Sequence, residues 1–451
     1  MREVFLASML SCPRHVGDSA MKTTYSLRLA GIALPLAAAI ALGDKDQKDG
    51  VLSLPVRATA LPARAKLFKR EDATGLSEVN AFEIPFIMQP DYVQTIDINI
   101  GTPGQRVTVM LDTGSNFLWV NPSCSRSAFP KACSAKPRFH ESESSTYVDM
   151  GSQHRFTYLT AKAMVKAGQD TVSLGSASIV NQTFGVAKSS RRIGYGVMGL
   201  GSDDSPSIRK WSVVDGLFQQ GIIKTKTISL AMRGPEAEGS VVFGGIDVRK
   251  FQGRLEKRPI IPAIMTPDGK SRYWVYLDGM SVQDEDGNKT DIFSRVDGVP
   301  VLLDSGSNFS ILPTNWFPEL VKVIPSTKVI RIGPVTLHVV DCSNRERRGH
   351  VSFTFGSTTI DVPFRRFIIV RPSNFCVLGA LPNEKNFYIL ASNILMSAYT
   401  VFDPDNRAVY LARTSDCGSR IVALGNDSDP MGSSVGECRS VISPSTPYTE
   451  F

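Results

Sequence analysis

The chain has 451 residues, 42% hydrophobic and 21% charged, with 36 Gly and 27 Pro. That length and balance suit two or three globular domains with buried cores and exclude a disordered or fibrous chain. The net charge of +7 is concentrated at one end: residues 1–70 hold 11 Lys and Arg against 5 Asp and Glu, and residues 71–451 hold 39 against 38, so the body of the protein gives no argument for nucleic acid or an anionic membrane as partner.

Residues 21–43 read MKTTYSLRLAGIALPLAAAIALG. Lys22 and Arg28 precede an apolar run that ends in Ala39-Ile40-Ala41, the layout of a secretory signal cleaved after Ala41. The run is short for a membrane span, so no stable membrane anchor is expected. Met21 is the expected start, and residues 1–41 are an upstream extension plus signal peptide. Residues 42–70 form the expected propeptide, which ends at the dibasic pair Lys69-Arg70. From about residue 90 the chain runs in short alternating segments between Gly, Pro, Asn and Ser clusters, including 92–101, 227–232, 239–245, 335–340 and 350–356. That pattern predicts a mainly β protein. Helices are expected only over 207–221 and 315–325. A division near residue 255 gives an N-terminal lobe over 84–254 and a C-terminal lobe over 255–420. Residues 421–451 are Ser, Pro and Gly rich and are expected to be a flexible tail.

With Cys12 set aside as upstream of the signal, six cysteines remain, an even number suited to an oxidising compartment. Their spacing leaves 15 connectivities open, and neighbour pairing is the expectation: Cys124 with Cys133, Cys342 with Cys376, Cys417 with Cys438. No CxxC or HExxH occurs, so neither a metal nor any other cofactor is expected. Asn181, Asn288 and Asn426 begin glycosylation sequons.

One loop is written twice. Residues 107–117 read VTVMLDTGSNF and residues 299–309 read VPVLLDSGSNF. Each copy is an apolar strand that turns sharply at an aspartate, and the two aspartates are Asp112 and Asp304. Two carboxylates brought to one site cannot both ionise easily, so one keeps a proton while the other acts as a base. Gly114 and Gly306 permit close approach of the facing loop. The hydroxyls of Thr113 and Ser305 can bond the opposite loop, and those of Ser115 and Ser307 can orient the carboxylates. Such a pair can deprotonate a water and aim it at a carbonyl without a covalent intermediate.

With these loops the chain resembles the pepsin family of aspartic endopeptidases, in its fungal secreted and yapsin-like branch. The resemblance spans roughly residues 90–415, with IGTPGQ (100–105), LWV (118–120), VMGLG (197–201), GSVVFGGID (239–247) and YTVFDPDNRAVYLA (399–412) in family order. It implies a bilobal β fold with the cleft between lobes, cleavage of internal peptide bonds, an acidic pH optimum, a zymogen inhibited by its own propeptide, and a monomer. It also implies disulfides at Cys124–Cys133 and Cys342–Cys376. Tyr158 matches the tyrosine of the family's mobile flap, and Trp119 the tryptophan that this tyrosine contacts. Two departures stand out. Leu159 and Ala161 replace flap glycines, and Ala391-Ser392 replaces a Gly-Asp behind the second aspartate loop. They motivate an alternative reading, a catalytically impaired binding protein on the same fold. A cell-surface yapsin-like processing protease is the other alternative, though the loop between Cys124 and Cys133 carries Arg126 and Lys131 and no acid. The expected location is secreted or extracellular, with vacuole or cell wall as other destinations. The basic propeptide is expected to lie over an acidic cleft until acidification releases it.

Overall fold

The computed structural model describes residues 47–48, 50–60, 92–127, 130–203, 205–234, 237–332, 335–371, 375–425, 431 and 433–439. The expected signal, start site, Lys69-Arg70 pair and Asn426 lie outside them. The chain from Gly43 onward clusters as one compact unit.

The fold is mainly β, as the alternating segments predict. The expected strands appear at Tyr92–Ile100, Ile228–Ala231, Gly239–Phe243, Gly245–Asp247, Val335–Val340 and His350–Phe355. They belong to sheets of fifteen, seven, four and two strands. The fifteen-stranded sheet joins both halves of the sequence, since Ile228–Ala231 pairs antiparallel with Ala398–Asp403. The expected helix over 207–221 is two short helices, Pro206–Arg209 and Val213–Gln219. The break falls where Trp211 turns inward and is 2% exposed. Ser212 then caps the second helix, its Oγ accepting from Asp215 N at 3.1 Å. The helix expected over 315–325 is a 3₁₀ turn, Thr314–Trp316, followed by Phe317–Val323.

The two aspartate loops sit in equivalent frames. Gln105–Asp112 pairs in parallel with Gly196–Gly199, which sets Asp112 opposite Gly199. Lys289–Asp304 pairs in parallel with Ile389–Ala391, which sets Asp304 opposite Ala391. Leu111, Leu302 and Leu303 have no measurable exposure, so each carboxylate leaves the end of a fully packed strand.

Two segments are more ordered than their composition predicts. Val51–Ala60, within the expected propeptide, is a strand. It pairs with Gly239–Phe243 through residues 52–56 and with Tyr92–Ile100 through residues 57–60. Leu52, Leu54 and Val56 alternate inward and are buried. Pro55 lies opposite Ser240 where the strand has a neighbour on one side only, the kind of edge position at which proline is tolerated. Within the expected tail, the described residues also form strands. Ile421–Ala423 pairs with Gly245–Asp247, and Val435–Glu437 pairs with Gln252–Arg254. Glu437 bridges Arg249 at 3.0 Å and Arg420 at 2.5 Å. Met431 and Cys438 are buried. All three neighbour disulfides are formed, with Cα–Cα separations of 5.3, 5.2 and 5.7 Å for Cys124–Cys133, Cys342–Cys376 and Cys417–Cys438.

Candidate active site

Each aspartate is held by its own loop and by the facing one. Gly114 N donates to Asp112 Oδ1 at 2.9 Å, and Gly306 N donates to Asp304 Oδ1 at 2.9 Å. The loops then exchange bonds. Thr113 N donates to Ser305 Oγ at 3.1 Å and Ser305 N to Thr113 Oγ1 at 2.9 Å. Thr113 Oγ1 donates to Leu303 O at 2.9 Å and Ser305 Oγ to Leu111 O at 3.0 Å. The glycines permit this approach: a Cβ on Gly114 would lie 2.8 Å from Asp304 Cγ, and one on Gly306 2.7 Å from Asp112 Cγ.

The two serines that follow differ. Ser115 Oγ donates to Asp112 Oδ2 at 2.5 Å. Ser307 Oγ donates to Phe309 O at 3.3 Å instead, which corrects the expectation that both serines orient carboxylates. Burial pushes both carboxyls above the ordinary aspartate range, against the bonds that Asp112 receives from Ser115 and Gly114. Burial, and then the charge of Asp112, raise Asp304 to about 8. Asp304 is therefore the better holder of a single shared proton. Arg272, which the sequence reading missed, draws both carboxyls back down from the cleft wall. No spacing signal marks it, because its chain position lies 32 residues before Asp304.

The segment expected to be the flap is a hairpin between Val148–Thr157 and Lys162–Leu174. Its turn closes by Tyr158 N donating to Ala161 O at 2.9 Å. None of residues 158–161 has a positive φ, so this turn needs no glycine and takes Leu159 and Ala161 without strain. Leu159 projects outward, 62% exposed, and Ala161 is buried. Trp119 Nε1 donates to Tyr158 Oη at 2.6 Å, the contact expected of these two residues. Burial, with the Asp112 charge behind it, pushes the Tyr158 hydroxyl up, so it stays protonated.

The second departure is absorbed too. Ala391 is fully buried with φ −89° and ψ −179°, ordinary extended backbone. Its N–H donates to Ser310 Oγ at 3.0 Å, and Ser310 Oγ donates to Asn393 Oδ1 at 2.9 Å. Ser392, 2% exposed, begins the helix Ser392–Leu395. The added methyl leaves the Gly306–Asp304 bond as long as its counterpart in the first copy.

Asp112, Asp304, Ser115, Ser307, Tyr158 and Arg272 all line one cleft of about 1720 Å³. Trp119 lies behind its wall, fully buried. Beyond the aspartate pair, the acids lining it among the described residues are Asp203 and Asp268, which corrects the expectation of an acidic cleft. Asn181 and Asn288 are exposed away from it, the latter donating from Nδ2 to Asp284 Oδ2 at 3.0 Å. Among the described residues, no group of His, Cys, Asp and Glu is arranged to hold a metal, and no helix is long and apolar enough to cross a membrane.

The model of the eukaryotic aspartyl protease family matches residues 92–414. The chain belongs to this family. The protease is 29% identical over 406 residues to Candidapepsin-2 of Candida parapsilosis, covering 87% of this chain and 90% of that protein. It is 27% identical over 407 residues to Barrierpepsin of Saccharomyces cerevisiae, covering 80% and 68%. Its fold is similar to the crystal structure of an aspartic proteinase from Irpex lacteus, with a TM-score of 0.56, 21% identity and coverage of 72% and 94%. The protease is thus an aspartic-type endopeptidase with a pepsin-like fold, a hydrolase acting on proteins or peptides.

Proposed function

We propose that Asp112 and Asp304 are the catalytic dyad of a secreted endopeptidase, made as a zymogen and working at acidic pH. The observation that carries this reading is the facing pair itself, each carboxyl held by the glycine N–H of its own loop and pressed against the glycine of the other. Asp112 receives a second donor, Ser115 Oγ, which favours its ionised form. Asp112 takes a proton from a water between the carboxyls, and the oxygen attacks the peptide carbonyl carbon. Asp304 gives its proton to the carbonyl oxygen, and a tetrahedral diol forms. Asp112 then protonates the leaving nitrogen while Asp304 recovers a proton from a diol hydroxyl, and the C–N bond breaks. Tyr158, tied to Trp119, closes over the substrate.

The acidic limb of the rate profile belongs to protonation of both carboxyls and the basic limb to loss of the last proton from the pair. The apolar segment at 21–43 and the paired cysteines support secretion. The departures that motivated a binding-only reading lose their force, because neither the flap turn nor Ala391 needs the glycine it lacks. The test is hydrolysis of a broad peptide library at acidic pH. Asp112→Asn and Asp304→Asn should each abolish cleavage with unchanged circular dichroism, and pepstatin should inhibit. Cleavage that survives either substitution would reject the assignment.

A further inference from the structure

Outside the aspartate pair, the cleft wall is cationic. Arg155, Arg192 and Lys210 line it from the first half of the chain, and Lys270, Arg272 and Lys385 from the second. Among the described residues the opposing acids are Asp203 and Asp268, and Asp268 is already engaged. Its Oδ1 accepts from Trp274 Nε1 at 3.1 Å, and its Oδ2 lies 3.3 Å from Arg272 Nε. Among the described residues, Arg155, Lys210, Lys270 and Lys385 pair with no carboxylate. A further cation, Lys136, is fixed on the same wall, with Nζ 4.0 Å over the Tyr195 ring. The bias is local, since residues 71–451 as a whole hold 39 basic and 38 acidic residues.

The flap edge adds an independent observation. Lys162 and Arg191 stand directly opposite each other in the antiparallel pair that carries the flap. Both are exposed, and neither meets a carboxylate among the described residues. Like charges directly opposed across two strands cost stability, and an anion bound beside them would offset that cost. Arg191 leads straight into Arg192 on the cleft wall.

We infer that this protease selects peptides carrying Asp or Glu side chains on both sides of the scissile bond, recognised by the cationic walls of the cleft. The inference rests on the peptidase reading of this cleft. Low-dielectric walls of one sign focus the field on a bound chain of opposite sign. A substrate carboxylate is ionised above its ordinary pKa of about 4.3, so the preference operates in weak acid and fades in strong acid. A Lys or Arg in the same place meets repulsion from both lips, which sets this cleft apart from one that processes basic sites.

The test uses matched quenched-fluorescence peptides that share one scissile bond and carry Glu, Gln or Lys at two flanking positions. At about pH 5.5 and low salt, kcat/KM for the Glu peptide should exceed that for Gln by roughly threefold to tenfold, with Lys slowest. The Glu-to-Gln ratio should fall to about one near pH 3, and again at about 0.5 M salt. Lys210→Glu and Lys385→Glu should lower that ratio and raise the Lys-to-Gln ratio. A Glu-to-Gln ratio of about one throughout, or a preference for Lys, overturns the inference. Binding of the same peptides to Asp304→Asn, read by fluorescence anisotropy, separates the two readings. Tighter binding of the Glu peptide without any wild-type cleavage would uphold the cationic selection and reject the peptidase assignment. Cleavage without any charge preference would do the reverse.

Discussion

Thr113 and Ser305 are each donor and acceptor to the other's loop. Backbone N–H meets hydroxyl in both directions, and each hydroxyl then donates onward to the residue before the opposite aspartate. Both are buried, Thr113 fully and Ser305 to 2% exposure, so no solvent can replace a lost partner. Ser305→Ala should therefore cost about 1–3 kcal/mol in denaturant unfolding, and it should lower kcat more than it raises KM. Thr113→Ser keeps all four bonds and should stay close to wild type in both measurements. Equal damage from the two substitutions would mean that the methyl of Thr113 matters to the loops as much as the hydroxyl of Ser305.

The raised Asp304 carboxyl makes stability depend on pH. The folded protein keeps that proton up to about pH 8, whereas an unfolded chain releases it near 3.9. Between those values unfolding releases a proton, so stability is greatest below the unfolded value and falls as pH rises, by up to about 1.4 kcal/mol per pH unit. Asp304→Asn removes that contribution. Its unfolding free energy should decline less steeply than the wild type's from pH 4 to 8, measured by urea titration at each pH.

The flap turn gives a prediction about shape. Since residues 158–161 hold no left-handed backbone, Leu159→Gly should not stabilise the protein and should change its melting temperature by no more than a few degrees. The exposed leucine is free to touch substrate from above, so KM should rise. Tyr158→Phe, which removes the 2.6 Å bond from Trp119, should act mainly on kcat.

The strand Val51–Ala60 predicts how processing proceeds. Cleavage after Arg70 severs the chain but leaves the ladder to Gly239–Phe243 and Tyr92–Ile100, together with the buried Leu52, Leu54 and Val56. The released segment should therefore stay bound near neutral pH and co-elute with the protease on size exclusion. A 42–70 fragment that separates immediately would show that this strand contributes little to the sheet.

The two aspartate loops were legible because their information is local. An apolar run, an aspartate, a hydroxyl and a glycine within four positions specify a buried strand end and a tight turn, and repetition identifies the partner. Most strands followed from alternation for the same reason, whereas cysteine spacing left the disulfide connectivity open. The strands at 51–60, 421–423 and 435–437 were hidden for different reasons: the first carries Ser53 and Pro55 inside a segment that reads as a propeptide, the other two are three residues long, and all three take their main ladder from partners distant in sequence. Leu159, Ala161 and Ala391 looked like defects in one dimension, yet backbone angles that no residue type reveals make the glycines unnecessary there.

The sequence alone determined two matched carboxylate loops and a β fold, because each is written in short local patterns, and the order of its motifs carried the family resemblance. Packing decided the rest. Ser115 reaches its carboxylate and Ser307 does not, Asp304 carries the higher proton affinity, and basic side chains scattered from 136 to 385 line one cleft. These are differences in distance and burial between residues remote in the chain, and such differences exist only once the two copies of the loop face each other.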